Sequence, residues 1–266
     1  MIALTHAFGL SREPFAQHIP VEDLYPLPGL KAFSQRFEYA LSLPAITVIT
    51  GDVGSGKSTS LRAVTAQLHP AQYVVLSIVA TAGGMLELLR QVCFCLGGPP
   101  SNSAAALMST IRELLCSITD KKQIPVLLID ESHLLRLEVF AQLHTLAQMP
   151  FDHKSLMPLV LSGQTSLIDR LLFHTSKPFA SRVIGRTHLQ PLELQDMKGY
   201  LLHHLRIAGA REDLFAEHAV TAIHQSSGGL LRRAGHLARG AMIAAAAEKA
   251  PVVSADHVRE ASTEIL

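Results

Sequence analysis

The chain has 266 residues, of which 48% are hydrophobic, and 23 Lys+Arg stand against 22 Asp+Glu for a formal net charge of +1. A chain of this size can bury a large core and divides naturally into one large and one small domain, while its near-neutral charge gives no field that argues by itself for nucleic acid or an anionic membrane. The N-terminus lacks the basic start and apolar core of a signal peptide, and no stretch approaches the ~20 apolar residues of a membrane span, so a soluble globular protein is expected.

The first strand is expected over 45–50, an apolar run that leads straight into Gly51-Asp52-Val53-Gly54-Ser55-Gly56-Lys57-Ser58. This octapeptide matches G-x-x-x-x-G-K-[S/T], the loop that cradles phosphates, and 58–68 continues as a helix with Leu61, Val64 and Leu68 on one side. A second strand is expected over 72–79, then helices over 85–96 and 104–118. An acidic strand over 126–130 follows, then a helix over 134–147, a strand over 159–163, a helix over 166–173 and a final strand over 187–192. Strands alternating with helices predict a mostly parallel sheet with helices on both faces. Past Leu192 the strand pattern stops. Four helical segments, 195–208, 216–225, 230–247 and 255–265, are separated by Gly209, Gly228-Gly229 and Ser254. The expected fold class is therefore α/β: a P-loop nucleotide-binding domain with an N-terminal arm over 1–193, followed by a small all-helical lid over 194–266. Cys93, Cys95 and Cys116 sit in apolar helical patterns and read as buried thiols, which fits a reducing cytoplasm.

The chemistry of the loop follows from its residue types. Its three glycines let successive N–H groups point inward, beside the N-terminus of the next helix, so Gly51 through Thr59 are expected to line the phosphates of ATP or GTP. Lys57 supplies a point charge to the β- and γ-phosphates. The Ser58 hydroxyl is the expected Mg²⁺ ligand, and Asp130 at its strand end should hold the same ion through water. Glu131 follows at once and is placed to polarise the attacking water as catalytic base, although a solvated loop residue is the plainer alternative. Gln164, just past a buried strand adjacent to the one bearing Asp130, would bond the γ-phosphate or the lytic water, or else cap the following helix. Arg182 and Arg186 would project toward a neighbouring subunit's nucleotide, or form surface ion pairs. Arg232 and Arg233 open a lid helix, where a cation opposes the helix dipole and points to a compensating anion.

These parts, in this order, resemble the AAA+ class of ATPases. The resemblance implies a sensor-1 residue at Gln164, an arginine finger at Arg182 (Ser181-Arg182-Val183 resembles the Ser-Arg-Cys finger of clamp loaders) with Arg186 in reserve, and a sensor-2 arginine at Arg232. The segments starting at Phe8-Gly-Leu-Ser-Arg and Leu161-Ser-Gly-Gln, together with 186–192, Ser227-Gly-Gly-Leu-Leu-Arg232 and 253–258, are similar to the ExeA (general secretion pathway protein A) family. They are also similar to its transposon-borne relatives of the TniB, TnsC and MuB type. Where the family often has proline before the sensor-2 arginine this chain has Leu231, which leaves Arg232 and Arg233 both open.

The resemblance implies ATP and Mg²⁺ as cofactors, a homo-oligomer in a ring or filament, and a cytoplasmic location away from the membrane. Secretion-type members carry a membrane span and a peptidoglycan-binding region after the ATPase, and this sequence ends soon after the lid. A transposition regulator that assembles on double-stranded DNA and acts on a DDE-type transposase is therefore expected. A secretion or envelope-assembly ATPase and a nucleotide-switched protein scaffold are the alternatives. Lys121, Lys122, Arg136, His153, Lys154, Arg206, Arg211 and Arg239 are dispersed and read mostly as solvated charges. Phe8 to Phe15 reads either as part of an adenine pocket or as a hydrophobic anchor for the N-terminal arm.

Overall fold

The computed structural model describes residues 4–16, 18–146 and 157–264. His153 and Lys154, with the expected helix ends at Ala147 and Ile265, lie outside them. Contacts divide the chain into two compact units: Gly29–Gly51 with Lys57–Leu189, and Met1–Pro28 with Asp52–Gly56 and Gln190–Leu266.

The first unit is built on five strands, β1 (Ile46–Gly51), β2 (Tyr73–Val79), β3 (Ile124–Asp130), β4 (Leu159–Gly163) and β5 (Val183–Leu189), in the order β2-β3-β4-β1-β5. Every pairing is parallel. Parallel strands are buried on both faces, which is why β1, β3 and β4 read as continuous apolar runs rather than as alternating ones. On one face Val48, Ile129 and Leu161 pack with Leu89, Ile111, Phe140 and Leu167 from α4 (Met85–Cys95), α5 (Ala104–Asp120), α6 (Leu137–Leu146) and α7 (Ser166–Leu172). On the other, Ile49, Val126, Leu128 and Val160 pack with Phe33 and Phe37 of α2 (Leu30–Ser42) and Leu61 and Val64 of α3 (Lys57–Thr65).

Several elements differ from expectation. Helix α2 adds to the expected set; its buried Phe33, Phe37, Ala40 and Leu41 recur at helical spacing. Strand β5 starts at Val183, four residues before the expected start, because Gly185 and Arg186 disguise its first half. Gly185 is there for space: a Cβ would come within 3.1 Å of Arg36, whose guanidinium crosses the strand to donate to Thr187 Oγ1 at 3.1 Å. Arg186 is consequently a mid-strand residue rather than part of a segment before the strand. Helix α6 starts at Leu137, since Ser132–Leu134 forms a 3-10 turn. Of the three free thiols only Cys93 is buried; Cys95 is exposed at the end of α4 and Cys116 is half-buried.

The second unit is helical, with α1 (Leu4–Phe8), then α9 (Leu194–Ile207), α10 (Glu217–Ser227), α11 (Leu231–Ala247) and α12 (Ala255–Glu264), after the short α8 (Lys177–Ala180) that closes the sheet unit's helices. The N-terminal arm is fastened along α9. Ser11 N–H donates to Ala208 O at 2.8 Å, Arg12 donates to Ile207 O and pairs with Asp23 at 2.7 Å, and Tyr25 OH donates to Asp196 O at 3.2 Å. Phe15 stacks on His204 with ring centroids 4.8 Å apart and meets Phe215 edge-on, so its ring anchors the arm in the helical core. Among the described residues, no helix is long and apolar enough to cross a membrane.

His204 is buried with Nδ1 lacking a hydrogen-bond partner, and burial first, then His203 and Arg12, lower its pKa to about 4. It is therefore neutral in the folded chain and takes up a proton more readily when unfolded. Stability from this group is complete above about pH 6.5 and is lost as pH falls toward 4, by up to roughly 3 kcal/mol. Urea titrations at pH 7 and pH 5 check this: His204→Phe should lose less stability between the two pH values than the parent chain does.

Candidate nucleotide site

The site begins where β1 ends. All six residues of β1 are buried, and the chain leaves the sheet at Gly51 into a loop whose Gly54 and Gly56 take φ of +84° and +97°, conformations that favour glycine. Space is as restrictive as conformation there. A Cβ on Gly54 would lie 2.8 Å from Arg232 Cβ, and one on Gly56 would lie 2.6 Å from Leu27 and 2.9 Å from Leu231. Arg232 N–H, in the first turn of α11, donates to Gly54 O at 3.3 Å, so the loop segment Asp52–Gly56 and the start of α11 are joined by backbone. The Arg232 and Arg233 side chains are exposed. Ser55 is buried with its hydroxyl unpartnered, whereas Asp52 and Val53 are exposed and Thr59 is half-buried.

At the head of α3, Lys57 is buried, and its ammonium donates to Gly51 O at 2.9 Å. The next residue faces the acidic strand: Ser58 Oγ donates to Asp130 Oδ2 at 2.8 Å. Asp130 Oδ1 accepts two more bonds, from Ser162 Oγ at 2.7 Å and from Glu131 N–H at 2.8 Å. Ser162 is a residue that sequence reasoning missed. The β3–β4 register, Ile129 opposite Leu161, sets Ser162 beside Asp130 at the next step. Its signal was a single hydroxyl at the end of an otherwise apolar buried strand, since buried polar groups are hydrogen-bonded.

Glu131 turns the chain out of β3 in the left-handed region, at φ +53°. The turn is held by Ser132 Oγ on Ile129 O at 2.7 Å, by Leu134 N–H on Glu131 O at 2.9 Å and by Arg170 on Leu135 O at 2.8 Å. Its carboxylate stands 3.3 Å from His133 Nδ1. The Gln164 backbone lies at the same place: its N–H donates to His133 Nδ1 at 3.4 Å and its carbonyl accepts from Leu167 N–H at 2.9 Å, starting α7. Arg182 is half-buried with its guanidinium on Pro178 O, and Arg186 is exposed on β5.

The donor set fits a nucleotide with a hard cation. Two glycines in left-handed conformations bend the loop, a buried ammonium follows it in the chain, and a hydroxyl and a carboxylate 2.8 Å apart offer the oxygen ligands that Mg²⁺ takes.

Residues 41–171 match the AAA domain family. General secretion pathway protein A of Aeromonas hydrophila is 31% identical over 252 residues, which is 91% of this chain and 44% of that protein; the chain thus spans less than half the length of this curated relative. Among solved structures, Cdc6p from Pyrobaculum aerophilum superposes with a TM-score of 0.74 at 16% identity, over 95% of this chain and 70% of that one. The Aeropyrum pernix ORC1 protein in complex with DNA gives 0.68 at 17% identity, over 92% and 67%. The sheet order, the phosphate loop and these likenesses make the fold that of the AAA+ P-loop ATPases, in a chain similar along nearly its whole length to general secretion pathway protein A.

Proposed function

We propose that the chain binds Mg²⁺ and ATP at residues 51–59 and hydrolyses ATP with Glu131 as the general base. The observation that carries this reading is the Ser58–Asp130 contact, made by the second residue after the glycine loop and followed in the chain by the Glu131 carboxylate. Lys57 would neutralise charge on the β- and γ-phosphates, while Ser58 and Asp130 would hold Mg²⁺, which when bound offsets charge on the phosphoryl being transferred. Ser162 fixes the Asp130 carboxylate, and Glu131 takes the proton from the attacking water. Gln164 is the sensor at the end of β4, Arg182 the finger offered to a neighbouring subunit with Arg186 in reserve, and Arg232 the sensor on the helical side with Arg233 next to it. Residues 1–193 and 194–266 serve as nucleotide-binding domain and lid.

The reading extends to a cytoplasmic homo-oligomer that assembles with ATP on double-stranded DNA and regulates a DDE-type transposase. It is supported by the motif resemblance to transposition ATPases and by the fold shared with an ORC1 protein captured on DNA. With a net charge of +1, a monomer would hold DNA weakly, so oligomerisation would multiply backbone contacts and binding would weaken steeply with salt. A second reading, a secretion or envelope-assembly ATPase, is favoured by the 31% identity to general secretion pathway protein A.

Lys57→Ala should abolish ATP binding, and Glu131→Gln should keep binding while lowering kcat by about a hundredfold or more; turnover unchanged in the Glu131 variant would move the base elsewhere. Mixing Arg182→Ala with Lys57→Ala subunits should restore part of the lost activity if the finger acts in trans, and no rescue at any ratio counts against it. Binding to nonspecific double-stranded DNA with ATP, a non-hydrolysable analogue, ADP or no nucleotide, followed by negative-stain imaging, separates the two wider readings. Assemblies on DNA only with triphosphate support transposition, and ATP turnover without DNA binding in any state supports the secretion reading.

A further inference from the structure

Two groups compete for one nitrogen beside the Asp130–Glu131 pair. His133 Nδ1 is 3.3 Å from Glu131 Oε2 and 3.4 Å from the Gln164 nitrogen. A carboxylate oxygen needs a hydrogen on Nδ1, whereas an amide N–H needs its lone pair, and a neutral imidazole offers one or the other according to its tautomer. Only one of the two bonds forms at a time. We infer that His133 is a positioning residue that couples the end of β4, at Gln164, to the orientation of the Glu131 carboxylate, and that Gly163 exists to let it sit there. The inference rests on Glu131 acting as the base in ATP hydrolysis.

The supporting geometry is independent of the histidine ring. A Cβ at Gly163 would lie 3.1 Å from His133 N and 3.4 Å from His133 Cβ, so the 3-10 turn and the last residue of β4 are in backbone contact. The His133 ring is well covered, with 11% of its side chain exposed, whereas the Glu131 side chain is 40% exposed. A half-exposed carboxylate on a left-handed residue has few restraints of its own, and His133 supplies one. When Gln164 N–H takes the Nδ1 lone pair, Glu131 loses that restraint. When Nδ1 carries the hydrogen, it donates to Glu131 and holds it. A displacement of Gln164 at the strand end therefore changes the placement of the base through a single atom. No covalent step is involved, only the exchange of one hydrogen-bond partner for another.

The test compares steady-state turnover and Mg·ATP binding for the full chain and its His133→Leu, His133→Asn and Gly163→Ala variants, with Lys57→Ala as the inactive reference. Removing the nitrogen in His133→Leu should lower kcat on the order of tenfold to a hundredfold, as a misplaced catalytic group does, with the ATP dissociation constant and KM within about twofold of the parent. His133→Asn, whose amide reaches close to the Nδ1 position, should recover most of kcat. Gly163→Ala, which keeps the His133 and Glu131 side chains but crowds the turn that places them, should show the same loss in kcat with binding retained. The inference is overturned if His133→Leu turns over within about twofold of the parent, if Leu and Asn lose activity equally, or if kcat and binding fall together as a merely structural role would require. A parent chain that turns over no faster than Lys57→Ala would instead overturn the ATPase reading, and this inference with it.

Discussion

One carboxylate, Asp130, organises the C-terminal edge of the sheet unit. It terminates a strand whose preceding five residues are buried, and a carboxylate beside them calls for hydrogen-bond donors. Three donors reach it: a hydroxyl from the helix after the loop, a hydroxyl from the neighbouring strand and the backbone N–H of the next residue. Hydrogen bonds to charged acceptors contribute about 1.5–3 kcal/mol each. Together they tie the head of α3, the end of β4 and the turn after β3 to one point.

The parallel sheet makes this convergence possible. Side by side, β3 and β4 run in the same direction with Ile129 opposite Leu161, so their polar C-terminal residues emerge together, and β1, on the far side of β4, ends in Gly51 at the same edge. Open α/β sheets gather ligand-contacting residues at the C-terminal ends of their strands. Here the apolar runs set the height of the sheet, and the polar residues that follow them mark the same edge.

Much of this was legible from the chain. The loop motif, the apolar run ending in Asp130-Glu131 and the four helices after Leu192 carry strong local signals, because glycine spacing and hydrophobic periodicity follow directly from backbone geometry. What escaped was tertiary. Ser162 has no local signature that separates it from any strand-end serine, and its importance comes only from the register with β3. Gly185 reads as a strand breaker until Arg36 is seen crossing it. Phe15 reads equally as a base-stacking residue or an anchor, and its contacts with His204 and Phe215 show where its ring packs. His133 is one of fourteen histidines, and its place two residues after Glu131 does not show that its ring also meets the Gln164 backbone.

The left-handed backbone at Glu131 has a consequence for how the chain changes over generations. For a residue with a side chain that conformation costs on the order of 1–2 kcal/mol, and glycine or asparagine would relieve much of it. The residue proposed as the base thus stands where stability alone favours another side chain. Under the proposed mechanism, glycine or asparagine at 131 would gain stability while losing turnover, so the residue found there would report whether a related chain keeps that chemistry.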